Sequence, residues 1–87
     1  MEIILLPRAE KELQYFSRTG EKKTIQKIKT LLISIAETPF SGIGKPEALK
    51  YEHVGKWSRR INLEHRLVYK ISEDGAIAYI YSVKSHY

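Results

Sequence analysis

The spacing of apolar residues changes character halfway along this chain, and that change limits the folds open to it. Between Pro7 and Glu37 apolar residues recur at intervals of three and four, the period of a helix with one covered face. Beyond Glu47 they alternate, the period of a strand with one covered face. The joint between the two regimes is Phe40 to Pro46 (FSGIGKP), which holds two glycines and a proline and reads as a turn-rich loop.

Before the first helix, Glu2-Ile3-Ile4-Leu5-Leu6 is short and β-rich, an opening strand that Pro7 ends. Proline suits a first helical turn, and Ala9, Leu13 and Phe16 follow at helical spacing, with Gly20 at the C′ position, giving a helix over Pro7 to Thr19. A second helix spans Glu21 to Glu37. Its stripe is Ile25, Ile28, Leu32, Ile35 and Ala36, opposite Lys22, Lys23, Gln26, Lys27 and Lys29, and Thr38-Pro39 closes it.

Three strands follow, over Trp57 to Asn62, Arg66 to Ile71 and Ala76 to Val83, joined by Asn-Leu-Glu-His and Ser-Glu-Asp-Gly connections. Glu47 to Tyr51 is a candidate fourth strand ahead of them. One strand, two helices and then a meander predict an α+β fold in which the helices cover one face of a mainly antiparallel sheet. The uncovered face is where function is to be sought, because it meets solvent or a ligand.

At 87 residues the chain has room for one core, a single domain over 1–87, and none for a separate cofactor domain. Cysteine is absent, which removes disulfides, thiolate nucleophiles and cysteine metal sites. The longest apolar run, Ile3 to Leu6, is too short for a signal peptide or a membrane span, so the expected location is the cytoplasm. A net charge of +5 and a pI near 9.5 point to a polyanionic partner. Between Lys45 and Lys70 seven basic residues (Lys45, Lys50, Lys56, Arg59, Arg60, Arg66, Lys70) stand against three acidic ones. Tyr51, Trp57 and Tyr69 are interleaved with them. They fit either a surface that takes phosphates and unstacked bases, or a core whose basic neighbours only solvate the sheet.

Without cysteine, a Gly-rich phosphate loop or histidines at metal-ligand spacing, the available catalysts are carboxylates, histidines and basic side chains. That inventory suits cleavage of RNA by its own ribose 2′-hydroxyl, which needs a base, a cation for the charged phosphorane and an acid for the leaving 5′ oxygen. Glu47 in the loop, Arg66 opening a strand and His86 beside the end of another supply one of each, and the equal parity of Arg66 and His86 permits a shared face. Each has a plainer reading as well: a solvated loop carboxylate, a solvated strand arginine, a frayed tail.

Three blocks lift the catalytic reading. Thr38-Pro-Phe-Ser-Gly-Ile-Gly-Lys-Pro-Glu-Ala-Leu-Lys50, Trp57-Ser-Arg-Arg-Ile-Asn-Leu-Glu-His-Arg-Leu-Val-Tyr69 and the ending Ser85-His-Tyr87 resemble, in this order, the YoeB (Txe) toxins of the RelE superfamily. The resemblance implies a compact α+β toxin of a type II toxin–antitoxin pair, cutting mRNA in the ribosomal A site, without a cofactor, until a YefM/Phd-type antitoxin neutralises it. It implies Glu47 as general base, Arg66 as transition-state stabiliser and His86 as general acid. Lys50, Arg60 and Tyr87 become substrate-binding residues. The ribosome and its rRNA become partners, and a homodimer stays open. Lys84-Ser85 stands where some relatives carry an arginine or aromatic, and the Ser72 to Ala76 turn differs in sequence from theirs.

Two other readings compete. One is a gyrase-poisoning ParE-type relative, a group that lacks the Glu, Arg and penultimate His together. The other is a non-catalytic module that binds RNA or a partner through its basic face alone.

Overall fold

The computed structural model describes residues 1–85, and the expectations that fall on His86 and Tyr87 lie outside them. Element order is β1 (Glu2–Leu5), α1 (Pro7–Arg18), α2 (Lys22–Glu37), β2 (Glu47–Ala48), β3 (Trp57–Arg60), β4 (Arg66–Ile71) and β5 (Ile77–Ser85), with a 3₁₀ turn at Tyr51–His53. The strands form one sheet in the order β1-β5-β4-β3-β2. Every neighbouring pair is antiparallel except β1 with β5, which run parallel, so the opening strand returns to the sheet beside the last one.

Both helices lie on one face. Phe16 of α1 and Ile28, Leu31 and Ile35 of α2 are fully buried against Leu67, Tyr69, Ala78, Ile80 and Val83. Burying side chains of this size contributes about 1.5–3 kcal/mol each, so this layer carries most of the stability of a small chain. The stripe on α2 is rotated from the expected one: Leu31 is the fully buried leucine and Leu32 is half-buried at its margin. Trp57 also faces the helices, half-buried against the core, its ring centroid 4.9 Å from that of Phe40. Tyr69 is completely enclosed. These two aromatics therefore belong to the core and not to a base-stacking surface, while Tyr51 is 85% exposed.

The strand ends move for local reasons. β3 stops at Arg60 because Asn62 turns the chain, its Oδ1 accepting from the backbone N–H groups of Glu64 and His65 at 2.9 and 2.8 Å. β5 runs on to Ser85, which pairs with Arg66. The candidate strand at Glu47 to Tyr51 shortens to Glu47–Ala48, since Tyr51 takes a left-handed φ of 59° that leaves a ladder. Among the described residues no helix is long and apolar enough to cross a membrane.

Candidate active site

Strand alternation sends neighbouring residues of β3 to opposite faces: Trp57 and Arg59 go to the helices, Ser58 and Arg60 to the uncovered side. The register then builds two rows across that side. Glu47 of β2 sits opposite Ser58, Ser58 opposite Val68 and Val68 opposite Ser82. In the next row Arg60 faces Arg66, and Arg66 faces Ser85. Ser58, Val68, Ser82 and Ser85 are buried and form a floor, where the Ser82 and Ser85 hydroxyls hydrogen-bond to each other.

Arg66 reaches diagonally over this floor. Its Nη1 lies 3.6 Å from Glu47 Oε2 and donates to Ser58 Oγ at 3.4 Å. The guanidinium side chain is only 20% exposed, whereas the carboxylate is 65% exposed and open to an incoming group. Arg60, exposed, stands directly across the ladder from Arg66. Like charges at opposed positions destabilise a sheet, and an anion placed between them would offset that cost. Thus three residues named from the sequence, Glu47, Arg60 and Arg66, come together on one face. Lys50 is exposed two residues beyond β2, and His86 and Tyr87 follow Ser85 outside the described residues.

The loop ahead of β2 is held by a residue that in the sequence counts only as surface charge. Arg59 is fully buried. Its Nε donates to Tyr69 Oη at 3.2 Å. Nη1 donates to Ser34 Oγ at 2.6 Å and the Ile43 carbonyl at 3.1 Å, and Nη2 to the Thr38 and Ser41 carbonyls at 2.6 and 2.8 Å. All five guanidinium N–H groups are thereby used. Tyr69 Oη in turn donates to the Pro39 carbonyl at 2.6 Å. One cation pins the C-terminal end of α2 and the following loop onto β3 and β4, and that loop leads into Glu47. Burial raises the pKa of the Tyr69 phenol above its ordinary value, an effect the nearby Arg59 guanidinium partly opposes through its hydrogen bond and charge.

The two loop glycines answer to the same packing. A β-carbon on Gly42 would lie 2.8 Å from Ser34 Oγ, and one on Gly44 would lie 2.7 Å from Leu31 Cδ2, with φ at 109° and 80°. Only glycine combines those angles with that closeness. A clue to Arg59 was present in the sequence: once Trp57 is assigned to the core, the residue two positions on shares its face.

The far end of β5 is held by a second carboxylate. Two register shifts opposite Arg66/Val68 and Val68/Tyr69 bulge this strand, and the Val83 N–H leaves the ladder to donate to Glu12 Oε1 of α1 at 2.9 Å. Glu12 Oε2 accepts from Arg8 Nε at 3.0 Å. Lys84 Nζ sits 4.2 Å from the centre of the Tyr15 ring, a second tie between α1 and the strand end.

Comparison with known proteins gives the chain its relatives. Residues 7–87 match the family model for YoeB-like toxins of bacterial type II toxin–antitoxin systems. The toxin YoeB of Escherichia coli strain K12 is 39% identical over 87 residues, covering all of both chains. Among solved structures, a YoeB/ParE toxin from Agrobacterium tumefaciens superposes with a TM-score of 0.94 at 36% identity, covering all of both chains. YoeB of Staphylococcus aureus, 43% identical and matched over all of this chain and 98% of its own, has been solved as a dimer (TM-score 0.89) and in a heterotetrameric YoeB–YefM toxin–antitoxin complex (TM-score 0.85). With a family model spanning all but the first six residues and a full-length relative at this identity, the chain belongs to the YoeB-like toxins of bacterial type II toxin–antitoxin systems.

Proposed function

We propose that this toxin is an endoribonuclease that cuts mRNA on the ribosome by transesterification, with Glu47 as general base, Arg66 as transition-state stabiliser and His86 as general acid. The observation that carries the reading is the 3.6 Å pair between the Glu47 carboxylate and the Arg66 guanidinium on the uncovered sheet face, with Arg60 across the ladder. A base and a cation that share one site can act on adjoining atoms of one phosphodiester.

In this mechanism the 2′-hydroxyl oxygen attacks the neighbouring phosphorus and loses its proton to Glu47. Negative charge grows on the phosphoryl oxygens as the phosphorane forms, and Arg66, held by Ser58 in a shallow and partly desolvated position, stabilises it. The bond from phosphorus to the 5′ oxygen then breaks, and His86 supplies the proton that the departing oxygen takes up. The products are a 2′,3′-cyclic phosphate and a 5′-hydroxyl. No cofactor takes part. Arg60, Lys50 and Tyr87 bind the substrate around this centre.

The partner proposed for neutralisation is a YefM-type antitoxin, an assignment supported by the heterotetramer of the Staphylococcus aureus relative. A disordered acidic segment would be drawn quickly to a chain of net charge +5 and would cover the site on folding. The toxin's work would lie in the cytoplasm, where its message and ribosome are found, and self-association as in the dimeric relative is part of the same proposal.

The test is cleavage of ribosome-bound mRNA by purified wild-type protein and by Glu47→Ala, Arg66→Ala and His86→Ala, with fragment ends mapped. Each substitution should lower the rate by about 10²- to 10⁴-fold, and wild-type fragments should carry 5′-hydroxyls. Wild-type rates in Glu47→Ala and His86→Ala, or 5′-phosphate ends, would overturn the assignment. RNA retention without new ends would instead favour a binding module.

A further inference from the structure

A basic cavity adjoins the candidate active site. It is an open groove of about 470 Å³ between α2, the glycine loop and the β3–β4 turn, lined by Lys27, Gly44, Lys45, Arg60, Ile61 and Leu63, among others. Three cations line it from three separate parts of the chain, and among the described residues no carboxylate does. Arg60 belongs to both places: one side of it lines the groove, and across the ladder stands Arg66.

The groove is also built on a fixed frame. The Arg60 N–H donates to the Gly44 carbonyl at 2.7 Å, locking the loop to β3. Next to it Lys45 is held at a left-handed φ of 51°, a conformation that costs a non-glycine residue energy and persists only where its surroundings impose it. Arg59 anchors the same loop from beneath. Cations on such a frame lose less freedom on binding than cations on a mobile loop. On the rim Leu63 is fully exposed and Ile61, though buried, contributes to the wall, so an apolar surface lies beside the charges.

We propose that this groove is a second phosphate-binding subsite, in which Lys27 and Lys45, together with Arg60, take a backbone phosphate of the single-stranded RNA next to the one held at Arg66, with Leu63 against the adjoining base. The inference rests on the nuclease reading for the direction of the RNA. Its physical content is the convergence of three cations without a carboxylate, continuous with Arg66 through Arg60. An acidic peptide is the other polyanion such a groove could attract. RNA is favoured because the groove continues the row that holds Arg66.

The test uses a fluorescent single-stranded oligoribonucleotide, made uncleavable by 2′-O-methyl groups, bound to the full-length protein over a range of salt concentrations. Lys27→Ala/Lys45→Ala should weaken binding roughly tenfold and flatten the slope of log K against log salt by about 1.4, the loss of two cation–phosphate contacts on a single strand. The control is Lys22→Ala/Lys29→Ala, which removes the same charge from α2 outside the groove and should change the slope by much less. On ribosome-bound mRNA the first variant should raise KM and keep kcat within about twofold, since a contact made equally in ground and transition states shows in KM alone.

Equal losses in the two double variants would overturn the subsite and leave only diffuse electrostatics. Weakened binding of a glutamate-rich peptide with unchanged RNA binding would overturn it in favour of a protein partner. Failure of the nuclease reading has a different signature: the wild type would bind the oligonucleotide yet leave ribosome-bound mRNA uncut, and the groove would still be judged by the two double variants.

Discussion

Arg59 and Arg60 are adjacent in sequence and chemically identical, yet the pleat of β3 gives them opposite fates. Arg59 is fully buried on the helix face with all five donors satisfied, four of them by loop and α2 atoms. Arg60 is exposed on the other face, across the ladder from a second arginine. A guanidinium enclosed by carbonyl and hydroxyl oxygens holds a fold together. One set beside another cation gains only when an anion arrives. Of this pair, the arginine on the helix face thus serves stability, and the one on the uncovered face is open to a ligand.

The largest predicted break in that contrast comes from Arg59→Met. It fills much of the same volume but removes all five donors that tie Ser34, Thr38, Ser41, Ile43 and Tyr69 together, and should cost about 3 kcal/mol or more in urea unfolding. Arg59→Lys should not restore the loss, since an ammonium has three donors and no planar fork. A Tm within a degree of wild type for Arg59→Met would show that the loop is held by something else.

Glu12→Leu should cost less, about 1–3 kcal/mol, by leaving the Val83 N–H without its acceptor. Glu12→Gln keeps a carbonyl oxygen at that place and should recover most of it. Amide hydrogen exchange at Val83 distinguishes the two, with protection lost in the leucine variant and kept in the glutamine variant.

Arg60→Ala goes in the opposite direction. Removing one of two opposed cations should leave the unliganded protein unchanged or stabilise it by about 0.2–1 kcal/mol, an effect that shrinks with added salt. Destabilisation beyond that range would mean that Arg60 makes a structural contact like its neighbour's.

The smallest effect is confined to strong base. Because the folded-state pKa of Tyr69 is raised by burial, folded and unfolded chains both hold the phenolic proton well below the ordinary value of 10.0, and this group adds no pH dependence there. Above that, the unfolded chain releases the proton first, so stability falls as pH rises toward the folded-state value. Tyr69→Phe should lack this alkaline decline while losing the hydrogen bond to Pro39.

How far the fold could be read beforehand follows from the same two faces. Periodicity located both helices and the three long strands, with β4 at Arg66–Ile71 as expected, because those patterns are set by a single covered face. The parallel return of β1 to β5 was not legible, since no local pattern records which edge a short apolar strand will join. Nor was the burial of Arg59: a charged side chain in a basic run looks like solvated surface until the loop that supplies its oxygen acceptors is folded over it. Glu47 and Arg66 were legible as residues through the family motif. That one carboxylate oxygen meets one guanidinium nitrogen at 3.6 Å depends on a two-residue strand, β2, that sequence alone blurred into Glu47 to Tyr51.

The most direct test of this division of labour measures thermal unfolding and single-turnover cleavage of ribosome-bound mRNA side by side for Arg59→Met and Arg66→Ala. The account predicts that Arg66→Ala keeps a near-wild-type Tm while its cleavage falls by about 10²-fold or more, and that Arg59→Met loses several degrees of Tm but retains most of its cleavage per folded molecule at low temperature. An Arg66→Ala protein that cleaves at the wild-type rate, or that unfolds as readily as Arg59→Met, would contradict it.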